Sequence, residues 1–487
     1  GFFNDLFTAW AEGRIQADPG LAYSASVYPL SGSLLLLLGF VGVVVFPAYF
    51  LVSLLLPTVC NLIQGGRSHL GLAYGLNTLA FCTGAVLFTW VFPRESLFYA
   101  VKALFVVLAV AALLALTFRP GRPLPRWSLA GAGVVTVAGI LMMPRGFDPS
   151  FFPSYAAPAR HPVRAMKSNA AHTTFVVEAP EGDVLFFDSH PMSGTGPKAQ
   201  RYMSLMAHVP LLAHPAPEKA LLICFGVGNT ARAIASHQGV ETIDIVDLND
   251  KVFETAPEFG RTNGQVYRDP RVRLIHDDGR RFLERSQERY DLVTSEPPPP
   301  RAEGVYRLYS VEYYRAVLDH LTPRGMMTQW LPVNVLSREA IDRIVASFVR
   351  VFPHTLLFVG SDDQLILMGG REPFDPALVE RRFGESHQAY LDLVALGVPG
   401  PISIFARILR IGEALREDVR GARVISDERN DLALTVTDPF DPPSLSYDPR
   451  SVLDALKPDG LENGTLLTEA LSDPARLRQL VPDFPGD

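Results

Sequence analysis

The chain has 487 residues, enough for two to four domains, and its hydrophobic fraction of 48% is ordinary for a globular protein. Its charge is unevenly placed: seven Lys/Arg and four Asp/Glu precede Pro144, against 37 and 47 in the remaining 343 residues, so the parts carry +3 and −10. Lipid is implied as the solvent of the first part and water as that of the second, and the lack of a dominant basic patch excludes nucleic acid as an expected partner.

Residues 1–145 read as a membrane region. No charge occurs between Asp18 and Arg67, and within that gap Ser31 to Leu56 is long enough to span a bilayer with tilt. Gly71 to Phe92 and Leu97 to Thr117 are further spans, and Lys102 can snorkel from the third. Trp127 to Pro144 is just long enough for a fourth. The loop from Arg119 to Arg126 carries three arginines, which favour the cytoplasmic side. Four crossings would place the soluble part opposite that loop; three would place both in the cytoplasm. The expected location is the bacterial inner membrane, multi-pass, with the soluble domain cytoplasmic. The chain begins with Gly1 rather than Met, as a fragment of a longer protein would.

Residues 150–200 read as a small β-region. Thr173 to Val177 and Val184 to Phe187 are short apolar runs around Pro180-Glu181-Gly182-Asp183, which predicts a hairpin. Pro191 to Thr195 follows, either an ordinary turn or, with Lys198, a gate for a neutral or anionic group; Ser193 and Thr195 are its candidate substrate contacts.

From 201 to 440 the pattern alternates between strand and helix, which predicts a parallel sheet covered on both faces. Tyr202 to Leu212 is helical in pattern. Strands are expected at Ala220–Phe225, Ile243–Val246, Val272–Ile275, Asp291–Thr294 and Gly325–Trp330, then a pair at Thr355–Val359 and Gln364–Met368. Residues 441–487 form a tail. The fold class is therefore α/β: a Rossmann-like, methyltransferase-type sheet with a small N-terminal β-hairpin region, preceded by α-helical transmembrane segments. Cys60, Cys82 and Cys224 have no metal-ligand spacing and read as buried thiols, so no metal is expected.

Polar clusters fall at the carboxyl ends of these strands, where open α/β sheets bind ligands. Gly226-Val227-Gly228 follows the first strand and opens a helix, whose N-terminal amides are available to a ligand. Asp247 ends the second strand and suits a ribose diol, because a carboxylate can accept from both hydroxyls. Asp278 follows the third strand, placed to accept from an adenine amino group. The set reads as a site for an S-adenosylmethionine-type nucleoside. The alternatives are NAD, for which Ala231 stands where a third glycine is usual, or a structural domain with capping aspartates.

From Thr173 to Met368 the chain resembles the polyamine aminopropyltransferases, the spermidine synthase family. The specific stretches are Leu221 to Asp247, Asp269-Pro270-Arg271-Val272, Asp278-Gly279-Arg280-Arg281-Phe282-Leu283, Tyr290-Asp291, and Leu308 to Tyr314. The attached apolar segments resemble the membrane-fused bacterial members. The resemblance implies a nucleoside site at Gly226, Gly228, Asp247 and Asp278. It also implies attack of an amine on a sulfonium carbon, with methylthioadenosine leaving and the co-substrate adenosylmethionine or its decarboxylated form. Further expected partners are a small-molecule acceptor, the lipid bilayer and a second copy of the chain as a homo-oligomer.

The departures concern the amine. Where the family's glycine loop carries an Asp, this chain has Val227. The two aspartates after the fourth strand become Glu296 and Pro299. An Asp-Glu pair becomes Lys198-Ala199, and the His-Glu after a retained Tyr202 becomes Met203-Ser204. A diamine is a dication, costly to bury without carboxylates. The expected activity is therefore transfer to a non-standard acceptor, with Glu296 as the candidate base, Asp188 as a second catalytic candidate and Tyr202 at the substrate. A methyltransferase or a non-catalytic nucleoside-binding membrane protein are the alternatives.

Overall fold

The computed structural model describes residues 163–429, apart from 169–172, 188–189, 299–303, 333–335 and 362–363, together with Thr78, Leu79 and Cys82. The four apolar segments and the 441–487 tail thus lie outside the described residues except at those three positions, which are helical. Among the described residues no helix is long and apolar enough to cross a membrane.

The small β-region is a four-stranded antiparallel sheet, ordered β1 (Val163–Ser168), β2 (Thr173–Val177), β3 (Val184–Phe187) and β4 (His190–Gly194). The expected hairpin is its central pair, with Thr174 opposite Phe187 and Val177 opposite Val184. Alternation along the pair separates two faces. Phe175 and Phe186 stack at 5.1 Å on one, while Val176 and Leu185 join the main core on the other. The Pro191–Thr195 stretch is not a surface turn: through Gly194 it forms β4, paired to β3.

The helix α1 (Pro197–Ala213) follows. Proline suits its first turn, where the missing N–H would have had no intrahelical partner. Every residue from Tyr202 to Ala213 is buried, so this helix is enclosed all round rather than amphipathic.

The main sheet begins at β5 (Lys219–Ile223), followed by α2 (Asn229–Ala235), β6 (Thr242–Asp247), α3 (Asp250–Thr255), β7 (Val272–His276) and α4 (Gly279–Arg285). Next come β8 (Tyr290–Ser295), α5 (Val311–Asp319), β9 (Leu321–Pro332) and α6 (Arg338–Val351). The sheet ends with β10 (His354–Ser361) and β11 (Gln364–Gly370), then helices α7 (Pro376–Arg382) and α8 (His387–Ala395) and strand β12 (Ile408–Ile411). Its order is β12-β10-β11-β9-β8-β5-β6-β7. Strands β9, β8, β5, β6 and β7 are parallel, and β11 is antiparallel to both its neighbours. This is the methyltransferase-type variant of the expected fold. Strand order turns back between β5 and β8, so the ligand crevice of such a sheet opens at their carboxyl ends.

Core lies on both faces of the sheet. Leu222, Ile243, Ile245 and Leu292 pack with α1 and α2; Leu221, Ile223, Val293 and Met327 pack with α5 and α6. Full burial of each such aliphatic side chain is worth about 1.5–3 kcal/mol, which keeps the strand ends in place. Two polar clasps add to this. Asp392 of α8 pairs with Arg232 of α2 and with His208 of α1, at 3.0 Å to Nε2. Asp427 accepts from both terminal nitrogens of Arg280 on α4, each at 2.6 Å, and from Ser310 at 2.9 Å, which ties the end of the described chain across the Asp278 corner.

Candidate active site

Strand β5 runs into the glycine loop through Cys224, whose φ of +73° is unusual for a non-glycine residue. Gly226 and Gly228 also have positive φ, +56° and +91°. An added Cβ at Gly226 would come within 2.7 Å of Ser193 Oγ, and one at Gly228 within 2.9 Å of Asn263 Cβ. The glycines are therefore required by the turn and by the close approach of β4 and Asn263, rather than by the nearness of a ligand alone. Ser193 belongs to this packing: its Oγ accepts from the Val227 amide at 3.3 Å. Thr195 is tied to the β2–β3 turn, its hydroxyl donating to the Asp183 carbonyl at 3.3 Å.

Asp247 stands at the end of β6, 7% exposed. The Phe225 amide donates to its Oδ2 at 2.8 Å, and the Asn249 amide to its Oδ1 at 2.9 Å. These bonds fix the carboxylate at the end of β6. Leu248 is 61% exposed beside it, an apolar surface next to the acid. The sequence reading did not single out Leu248; its only signal is an apolar residue directly after a strand-end acid.

Asp278 caps α4, its Oδ1 accepting from the Arg281 amide at 2.9 Å. The capping role weighed from sequence is thus real, and it leaves the carboxyl half-buried at the carboxyl end of β7.

Glu296 follows β8, its amide held by the Ile223 carbonyl at 3.2 Å. Its Oε1 accepts from the Tyr202 hydroxyl at 2.5 Å, joining α1 to the fourth-strand loop across 94 residues of sequence. Burial pushes the Glu296 carboxyl up to about 7, the Tyr202 hydrogen bond opposing that rise. The Tyr202 ring stacks on Trp330 of β9 at 6.0 Å and 13°, and Trp330 Nε1 donates to Gln364 at 2.7 Å. The loop itself is held by Tyr309, whose hydroxyl donates to the Pro298 carbonyl at 3.2 Å. Asp188 and Pro299 lie outside the described residues.

Asp247, Asp278 and Glu296 stand at the carboxyl ends of β6, β7 and β8, the same end of the sheet as the glycine loop after β5. Burial drives the Cys224 thiol well above its usual range, and the charges of Asp247, Glu296 and Asp278 add to that effect in that order. A cavity of about 210 Å³, between Met326, Thr355, Met368 and Phe374, lies at the opposite end of the sheet and contains none of them.

The positions that lack the family's acids have other partners. The Val227 side chain is fully buried in the core. Met203 Sδ accepts from Asn229 Nδ2 at 3.3 Å, and Ser204 Oγ from Arg232 at 3.3 Å. Asn229 Oδ1 is buried at the start of α2 with no partner among the described residues.

Asp247→Ala and Asp278→Ala are each expected to weaken methylthioadenosine binding by about 1–3 kcal/mol, the cost of a lost charge-assisted hydrogen bond. Calorimetry checks this, with thermal unfolding alongside because Asp247 also holds two backbone amides. Unchanged affinity in both variants would remove the acids from the site.

Residues 199–359 match the family described as the spermine/spermidine synthase domain. The polyamine aminopropyltransferase of Methanocaldococcus jannaschii is 30% identical over 161 residues, covering 32% of this chain and 54% of that one. Polyamine aminopropyltransferase 1 of Pseudomonas aeruginosa is 35% identical over 127 residues, 26% of this chain and 44% of that one, and the Bacillus subtilis enzyme is 28% identical over 211 residues, 42% and 76%. The chain thus spans about half the length of the first two relatives. Among solved structures, spermidine synthase from Thermotoga maritima is similar at 22% identity and a TM-score of 0.41, covering 48% of this chain and 88% of that one. In sequence, then, the stretch from 199 to 359 groups with the spermine/spermidine synthase domain.

Proposed function

We propose that this protein is a membrane-anchored, spermidine synthase-like transferase that moves an alkyl group from an adenosyl sulfonium to an amine other than a free diamine. The observation that carries this reading is the placement of Asp247, Asp278 and Glu296 at the carboxyl ends of neighbouring parallel strands, with Glu296 held by Tyr202. The co-substrate is adenosylmethionine or its decarboxylated form, bound through its ribose at Asp247 and its adenine at Asp278. The acceptor approaches beside Glu296 and the Tyr202–Trp330 pair.

The chemistry asks little of the protein beyond orientation and removal of one proton. An amine lone pair attacks the carbon next to the sulfonium; the C–N bond forms, the C–S bond breaks with its electrons going to sulfur, and methylthioadenosine leaves. The ammonium proton passes to Glu296. A carboxyl near pKa 7 is about half ionised at neutral pH, suited to that role. Similarity to polyamine aminopropyltransferases supports the reaction class. The apolar segments before Pro144 support attachment to the bacterial inner membrane, with the soluble domain on the cytoplasmic side, and a homo-oligomer remains part of the proposal.

One preparation tests the reading. Membranes containing the protein, washed with carbonate, are incubated with either nucleoside and an amine extract, and products are identified by mass spectrometry. Transmembrane insertion survives such washing, whereas surface adsorption does not. Activity that stays with the membranes and releases methylthioadenosine is expected. Adenosylhomocysteine as the product would show methyl transfer instead, and activity in the wash would show that the chain is not anchored.

A further inference from the structure

We propose that Thr174 of the small β-sheet is a positioning residue for the nucleoside carboxylate, acting through Asn249; the inference rests on the reading of Asp247 as the ribose acid. Asp247 takes its orientation from two amides, and one of them belongs to Asn249. Asn249 is in turn held by its side chain at both ends. Its Oδ1 caps α3, accepting from the Lys251 amide at 3.1 Å. Its Nδ2 donates to Thr174 Oγ1 on β2 at 2.8 Å. Thr174 is fully buried and Asn249 is 2% exposed, so water does not replace this bond.

The residue types argue for more than capping. An N-cap needs only an acceptor, which Asp would supply with no donor at all and Ser or Thr with a donor held close to the backbone. Asn adds a donor, and that donor reaches 75 residues back to a strand of a different sheet. The small sheet thus bears on the 247–249 turn from outside the main fold. Without the threonine oxygen, the Asn249 side chain turns or the segment moves, and the angle at which Asp247 meets two adjacent hydroxyls changes. A ligand without those hydroxyls does not sense the change. Arg164 provides an internal control. It links the same sheet to the main domain elsewhere, donating to Asp183 Oδ2 at 2.6 Å and to the Glu258 carbonyl at 2.8 Å, with no bond to the turn.

The test compares adenosine with 2′,3′-dideoxyadenosine by calorimetry on the whole chain. Thr174→Val is expected to weaken adenosine about ten-fold and leave dideoxyadenosine unchanged, as one poorly aimed hydrogen bond would. Thr174→Ser, which restores the oxygen, is expected to recover the loss. Asn249→Ser, which keeps a capping oxygen but is too short to carry a donor to Thr174, gives the same selective loss by a route independent of packing at Thr174. Equal loss for both ligands, failure of the serine to recover binding, or the same selective loss in Arg164→Ala would overturn the relay. Absence of adenosine binding by the unaltered protein would overturn the nucleoside reading itself, and the relay with it.

Discussion

Replacing Glu296 by Gln is expected to lower transfer by roughly two to four orders of magnitude, the contribution of a positioned base. The substitution keeps the shape and an oxygen that can accept from Tyr202, so the 2.5 Å contact has a successor and the loss reports on proton removal. The pH profile adds a second signature. With the carboxyl at about 7, kcat/KM of the unaltered protein rises with pH through that region, because only the ionised form takes a proton. Stability moves the other way. The folded-state value lies above the ordinary 4.5, so the unfolded chain gives up this proton more readily. The favourable effect of the buried neutral acid is complete below 4.5 and is lost as pH rises through about 7. At pH 8 the Gln variant should therefore be no less stable than the parent in thermal unfolding, though nearly inactive. Full activity in Glu296→Gln would remove the residue from the chemistry; lost activity together with a lower Tm would make it a structural residue.

The sheet was legible because each parallel strand is a short apolar run closed by a polar cluster. Ala220–Phe225 and Ile243–Val246 fall within two residues of β5 and β6 for that reason. Asp247 and Asp278 could be placed from the same rule, since strand ends determine where a side chain meets the crevice. What stayed hidden depends on contacts distant in sequence. The Tyr202–Glu296 pair spans 94 residues and the Thr174–Asn249 bond 75, and neither leaves a local pattern. Strand β4 was hidden for a different reason: Pro191-Met192-Ser193-Gly194 has turn composition, and its strand form comes from pairing with β3 beside the glycine loop. Strands β1 and β12 are edge strands whose apolar runs are interrupted, by Arg164 and Lys167 in one and Arg410 in the other. Thr195, a polar residue near the suspected gate, has a hydroxyl that donates to the turn between β2 and β3, another contact with no local pattern.

Putrescine is expected to be a poor acceptor, with turnover lower by orders of magnitude than that of an ordinary enzyme. The aminopropyltransferases that this chain resembles surround a diamine with carboxylates, and Glu296 is the one that remains at the matched positions. The structure shows why the others do not return by small shifts. Val227 faces the core, Met203 is engaged with Asn229, and Ser204 with Arg232, so none of these positions offers a charge to the crevice. Each absent charge-assisted contact costs about 1.5–3 kcal/mol, and the far ammonium of the diamine would lose several at once. One amine beside Glu296 and the stacked Tyr202–Trp330 pair avoids that penalty, because a single carboxylate and two aromatic faces suit a single cation. The measurement is an assay with decarboxylated adenosylmethionine, following methylthioadenosine and spermidine together against a panel of monoamines. Spermidine at roughly 1 per second or more would show that acids outside the matched positions complete the diamine site. Methylthioadenosine with a monoamine, and little with putrescine, is the pattern a one-carboxylate pocket produces.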